Sequence, residues 1–179
     1  MRFTYDDGGR AEAGFKGHTG DCVIRAISIA TYPFCGRVTY SGTETKGEHY
    51  QEVYDALYQL VRDNHRPTTR TYPAGGGGRT STVTKNAKPR SVRNGVERKH
   101  YQRYLEALGW VWTPTMEIGS GCKVHLRDGE LPANRQVICL VSKHMVAVVD
   151  GVIHDICDPS REGTRCVYGY YTIAPARAA

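Results

Sequence analysis

Two rhythms of apolar residues run along the chain, and one gives way to the other near residue 109. Over residues 22–30 the apolar positions Val23, Ala26, Ile27 and Ala30 follow helical steps, and Ile24 and Ile29 widen the face. The pattern predicts a mostly buried helix, opened by a Gly20-Asp21 turn with Asp21 as N-cap and closed at Tyr32-Pro33. A second amphipathic helix is expected over about residues 47–64, with Tyr50, Val53, Tyr54, Leu57, Leu60 and Val61 inward and Glu52 and Asp55 outward. A third is expected over about 96–108, with Tyr101, Tyr104, Leu105 and Leu108 inward and Gly109 as the stop. Residues 1–20 read as an irregular polar lead-in. Residues 66–94, with a glycine run at 75–78 and Pro67, Pro73 and Pro89, read as a long flexible basic insertion without periodicity.

After Gly109 the pattern turns to strands. Residues 111–113 suggest a short one, and residues 137–141 a buried one. The apolar runs 145–149 and 152–157 flank Asp150-Gly151, the signature of a tight hairpin. Residues 166–173, with alternating tyrosines, predict a last strand. Trp110 and Trp112 suggest one ring on the core and one toward a groove or solvent. Helices followed by antiparallel strands define an α+β class, and 179 residues suit a single domain.

Charge changes this picture in one place. The chain carries 24 Lys+Arg against 18 Asp+Glu, a net of +6. Between Arg62 and Arg103 there are 11 basic and 2 acidic residues, a net of +9, which leaves 13 basic and 16 acidic residues and −3 elsewhere. The basic segment therefore suits an anionic partner, whether nucleic acid or an acidic protein. No apolar run approaches the roughly 18 residues of a membrane helix, and the polar start does not resemble a secretory signal. A cytoplasmic location in a bacterium or phage fits these features.

The cysteines, at 22, 35, 122, 139, 157 and 166, have no Cys-x-x-Cys pair, and Cys122 with His125 supplies only two of the four ligands of a structural zinc. Without a secretory start, six thiols are expected rather than three disulfides, and no metal or cofactor is called for.

One cysteine differs from the rest. Cys22 opens the buried helix after the Thr19-Gly20-Asp21 turn, where the helix dipole and free N–H groups favour a thiolate and can hold an oxyanion. Such a nucleophile needs a base from a distant rigid element. His144 stands between two apolar strands, where a polar ring needs a reason. The returning strand offers Asp155 and Asp158 to orient it. With a two-residue turn, 149 pairs with 152 and 146 with 155, which puts Asp155 diagonally beside His144 on one face.

The run Thr19-Gly-Asp-Cys-Val-Ile-Arg-Ala-Ile27 resembles the nucleophile motif of ovarian-tumour-type deubiquitinases, which carry Asp where this chain has Thr19. The segment from His144 to Asp158-Pro159 resembles the second half of papain-like and bacteriocin-processing cysteine peptidases, in which a His opens one strand and an Asn or Asp closes the next. Together the two patches cover about 25 residues, and the chain order Cys, His, Asp is common to both families. The resemblance implies a papain-like fold, N-terminal helices on a C-terminal antiparallel sheet, with Cys22 as nucleophile, His144 as base and acid, and Asp158 as the orienter. Its choice of Asp158 differs from the strand register, which favours Asp155. The expected orienter is Asp158, turned inward by a bulge at the strand end, with Asp155 as the second choice. Lys16 stands where papain-like enzymes carry an oxyanion Gln, leaving Thr19, Gly20 and His18 as oxyanion candidates beside the Cys22 amide. The implied function is hydrolysis of an amide, peptide or isopeptide bond in a peptide or protein substrate through an acyl-enzyme. Deamidation and acyl transfer use the same residues. The alternative is an inactive module that binds through the basic insertion.

Overall fold

The computed structural model describes residues 1–17, 19–32, 45–74, 79–85 and 88–173. His18, Cys35 and the glycine run at 75–78 lie outside them. The chain is α+β. Its elements are β1 (Arg2–Tyr5), α1 (Cys22–Thr31), α2 (Lys46–Asp63), β2 (Thr68–Ala74), β3 (Arg79–Lys85), α3 (Arg98–Ala107), β4 (Trp110–Pro114), β5 (Gln136–Val141), β6 (His144–Val149), β7 (Val152–Asp155) and β8 (Val167–Ile173). Six strands form one sheet in the order β1-β7-β6-β5-β8-β4, antiparallel except for the parallel pair β1 and β7. Among the described residues no helix is long and apolar enough to cross a membrane.

Strand alternation divides the core between the two faces of the sheet. Ile138, Met145, Ala147 and Tyr171 face α1 and α2, packing with Ile24, Ile27, Tyr50, Val53 and Leu57. Val137, Cys139, Val146, Val148, Ile153 and Val167 form the opposite layer under Leu126. Every residue of α1 from Val23 to Thr31 is buried, Arg25 and Ser28 included, as its unbroken apolar pattern predicts. A fully enclosed helix has its first residue fixed by everything around it, and that residue is Cys22. Trp110 is buried, whereas Trp112 borders an open groove and lies against Gly169, where any Cβ would collide with its ring.

The Asp150-Gly151 hairpin forms as expected, both turn residues having positive φ (49° and 77°) and Val149 pairing with Val152. Three expectations fail. The lead-in is not irregular: residues 2–5 add an edge strand to the sheet, and Gly9, at φ 89°, lies against the Lys46 carbonyl, where a side chain would clash. The basic insertion is not structureless. Thr68–Ala74 and Arg79–Lys85 pair as an antiparallel ribbon, because β-branched threonines favour extended backbone and meet across the strands as Thr69–Thr84 and Thr71–Thr82. The cysteines are not all thiols: Cys122 and Cys166 form a disulfide. They lie 44 residues apart in sequence, but the His125–Cys166 bridge brings both segments together.

Candidate active site

Three chain ends meet at one corner of the molecule. Cys22 is the first residue of α1, His144 the first of β6, and Asp155 the last of β7. His144 follows a two-residue turn, Ser142-Lys143, in which Lys143 takes φ 57°. Arg165 braces that turn by donating from Nη2 to the Ser142 carbonyl at 2.6 Å. The β6–β7 register pairs Ala147 with His154, so Asp155 falls opposite 146 and diagonal to His144.

His144 Nε2 and Asp155 Oδ2 are 2.5 Å apart. Asp155 is only 4 % exposed and its other oxygen, Oδ1, accepts the Ile156 N–H at 2.7 Å. Its carbonyl accepts the Asp6 N–H at 2.9 Å, tying the lead-in to the site. A carboxylate held this way fixes the ring through Nε2, and the Cys22 side chain lies within electrostatic reach of the imidazole. Asp158 is exposed and elsewhere, accepting the Ser160 N–H at 2.8 Å within its own turn. The structure thus seats Asp155 beside the ring and not Asp158, because the hairpin keeps its two-residue register and no bulge turns the chain inward.

Electrostatics set Cys22 and His144 in opposite directions. Burial pushes the Cys22 thiol up, but the His144 hydrogen bond and charge, the Met145 amide and the nearby Arg25 guanidinium outweigh it and bring the thiol below its ordinary value. For His144, burial pulls the imidazole down, while Asp155 and Cys22 stabilise its cation and raise it to about 9. Both shifts favour the charged forms, the thiolate and the imidazolium. Cys139 shows the contrast: fully enclosed in apolar surroundings, its thiol is raised far above the usual range.

The sequence points to Asp21 as a helix cap, and the structure assigns its side chain elsewhere. It makes no cap hydrogen bond. Fully buried, it accepts from Arg10 Nε at 2.7 Å and the Tyr50 hydroxyl at 2.8 Å, and faces Arg25 Nη1 at 3.0 Å. Arg10 also donates to the carbonyls of Phe15, Lys16 and Gly17, gathering the segment that leads to Cys22. Neither Arg10 nor Tyr50 carries a local signal, since both partners are far from Cys22 in sequence.

Thr19 and Gly20 sit directly ahead of Cys22, with Gly20 exposed and Thr19 directed by its hydroxyl to the Asp21 and Arg10 network. The Lys16 side chain is exposed, and its carbonyl is held by Arg10 and Arg93. The backbone N–H of Cys22 lies in the first turn of α1, where helix N–H groups have no carbonyl partner within the helix. Beside the corner runs an open, largely apolar groove of about 380 Å3, bordered by Trp112, Met116, Ile118, Leu140 and Tyr168. Leu140 pairs with Met145, whose amide contacts Cys22. Cys122, one half of the zinc-like fragment, is consumed by its disulfide, and His125 Nδ1 lies 3.1 Å from Glu130.

No family model matches this chain, and no curated protein or solved structure matches it.

Proposed function

We propose that the protein is a cysteine-dependent hydrolase of papain-like type that cleaves an amide, peptide or isopeptide bond. The observation that carries this reading is the Cys22–His144–Asp155 relay, with a lowered thiol, a raised imidazole and a buried orienting carboxylate. The Cys22 thiolate attacks the substrate carbonyl and its π electrons move to oxygen, giving a tetrahedral oxyanion that the Cys22 N–H stabilises. The intermediate collapses, the C–N bond breaks, and the imidazolium of His144 protonates the departing amine. The resulting thioester is attacked by water, which gives a proton to His144. Collapse releases the carboxylic acid and restores the thiolate. Asp155 keeps Nε2 engaged throughout. The groove beside Leu140 supplies apolar surface for substrate side chains.

Incubation with a diverse peptide library, followed by mass spectrometry of new termini, tests the reading. Cleavages that appear with the intact protein and vanish with Cys22→Ala are expected. Equal peptide profiles for both proteins, across libraries that include isopeptide-linked substrates, would overturn it.

A further inference from the structure

Four cations that the Cys22 corner does not use line one cavity. About 430 Å3 in volume, it lies between the end of α2, the segment after β3 and the first turn of α3. Among the described residues its lining carries four cationic side chains, Arg66, Lys88, Arg90 and Lys99. One carboxylate faces them, Glu97, which Lys99 already pairs at 2.9 Å. His65 joins this wall, and its Nε2 is buried with no hydrogen-bond partner among the described residues. A smaller cavity of about 200 Å3 shares Arg90, Glu97 and His100 and adds Asn94.

This cation-lined space abuts the nucleophile's turn. Asn94 packs on Gly20, two residues before Cys22, so that a Cβ there would lie 3.6 Å from the Asn94 Cα. Arg93, beside it, donates to the Lys16 carbonyl at 2.9 Å. On α3, His100 lines the cavity while the next residue, Tyr101, lies within electrostatic reach of Cys22. The two cavities thus lie on the Asn94 and α3 side of the turn that leads to Cys22. Single-stranded nucleic-acid grooves combine cations with stacking rings, and this lining has no Tyr, Trp or Phe among the described residues. Carboxylates need only guanidinium and ammonium donors.

We propose that the cavity is a carboxylate subsite, which binds Asp or Glu side chains of an acidic substrate segment and places the adjoining backbone before Cys22. The inference rests on the hydrolase reading and names its substrate class.

Fluorescence anisotropy of a labelled oligo-glutamate peptide with the full chain tests it, alongside iodoacetamide alkylation of Cys22. Binding is expected to weaken about tenfold in the double variant R90E/K99E and to weaken as salt is raised. Bound peptide should slow alkylation of Cys22 in the unsubstituted chain and not in the variant. Arg90 and Lys99 are exposed, and R90Q/K99Q, which should show a smaller loss of the same sign, guards against a folding defect. No binding, binding that both variants retain, or binding without protection of Cys22 would overturn the subsite. So would tighter binding of a short DNA duplex that the same substitutions abolish, which would assign the cavity to nucleic acid. Failure of the hydrolase reading shows separately, as alkylation of Cys22 no faster than that of the exposed Cys157 before any peptide is added.

Discussion

The Cys22–His144–Asp155 corner and the β2–β3 ribbon both carry polar side chains on strands or at a helix end, yet different forces fix them. At the corner, each functional side chain sits at the end of an element anchored in the core: α1 is buried throughout behind Cys22, β6 is buried from Met145 to Val148 behind His144, and β7 buries Ile153 ahead of Asp155. Residue placement there is over-determined by packing, and the polar groups are held by several partners each. In the ribbon, residues 68–72 and 80–85 are all exposed. The two strands are held by cross-strand hydrogen bonds and threonine contacts, which are marginal in water. Order imposed from behind supports chemistry, whereas order confined to a pair of strands presents charge.

The sharpest way to break this comparison is at the two aspartates. Asp155→Asn should lower Cys22-dependent turnover about 10^3- to 10^4-fold, because an amide at that place no longer stabilises the imidazolium or fixes its tautomer. Asp158→Asn should change it by about threefold or less, as expected for an exposed side chain in its own turn. Steady-state kinetics on any peptide the protein cleaves gives the comparison, and equal losses in the two variants would refute the assignment of Asp155.

Stability separates the regions next. Asp21→Ala should cost about 3–5 kcal/mol in urea unfolding, since it strands the buried Arg25 and removes acceptors from Arg10 and Tyr50. Replacing residues 68–85 by a short flexible linker should change the unfolding free energy by about 1 kcal/mol or less, because little of the ribbon is buried. A ribbon deletion as costly as the Asp21 substitution would erase the distinction.

A finer effect lies in pH. His144 is raised to about 9, so its contribution to stability is full below the ordinary histidine value near 6.5 and is lost as pH rises through about 9. Cys22 is lowered, so its contribution is present above the ordinary thiol value and is lost as pH falls toward the folded value. Where the two ranges overlap the slopes oppose each other, since His144 holds its proton more tightly in the native state and Cys22 gives its proton up more readily. Stability should therefore stay nearly flat across that range, whereas turnover should fall as pH passes about 9 and His144 loses the proton that the leaving amine needs. Urea melts and a pH–rate profile of the same protein would show whether the two behaviours separate.

The sequence discloses local information and hides what depends on distant partners. The apolar spacing of α1 and the Asp-Gly turn announce a buried helix and a strict hairpin, and the hairpin register alone places Asp155 beside His144. The resemblance to papain-like enzymes points instead to Asp158, whose place depends on a bulge that this hairpin lacks. β1 escapes notice because Arg2–Tyr5 is a four-residue exposed edge strand, too short for its Phe3 and Tyr5 alternation to mark a buried face. The ribbon escapes because residues 68–72 and 80–85 are exposed on both faces, so no buried apolar face marks the strands. Asp21 looks like a cap because Asp commonly is one there, and only the fold brings Arg10 and Tyr50 to it. The Cys122–Cys166 bond likewise depends on two segments that are distant along the chain.

On the hydrolase reading, Cys22 ionises more readily than an ordinary thiol because the His144 imidazolium lies beside it. The direct measurement is the rate of iodoacetamide alkylation at each cysteine as a function of pH, followed by peptide mass spectrometry. The account predicts that Cys22 reacts faster than the exposed Cys157 already in mildly acidic solution, with its rate rising below the ordinary thiol range, and that His144→Ala removes this advantage. Alkylation of Cys22 that matches Cys157 and rises only through the ordinary thiol range would contradict it.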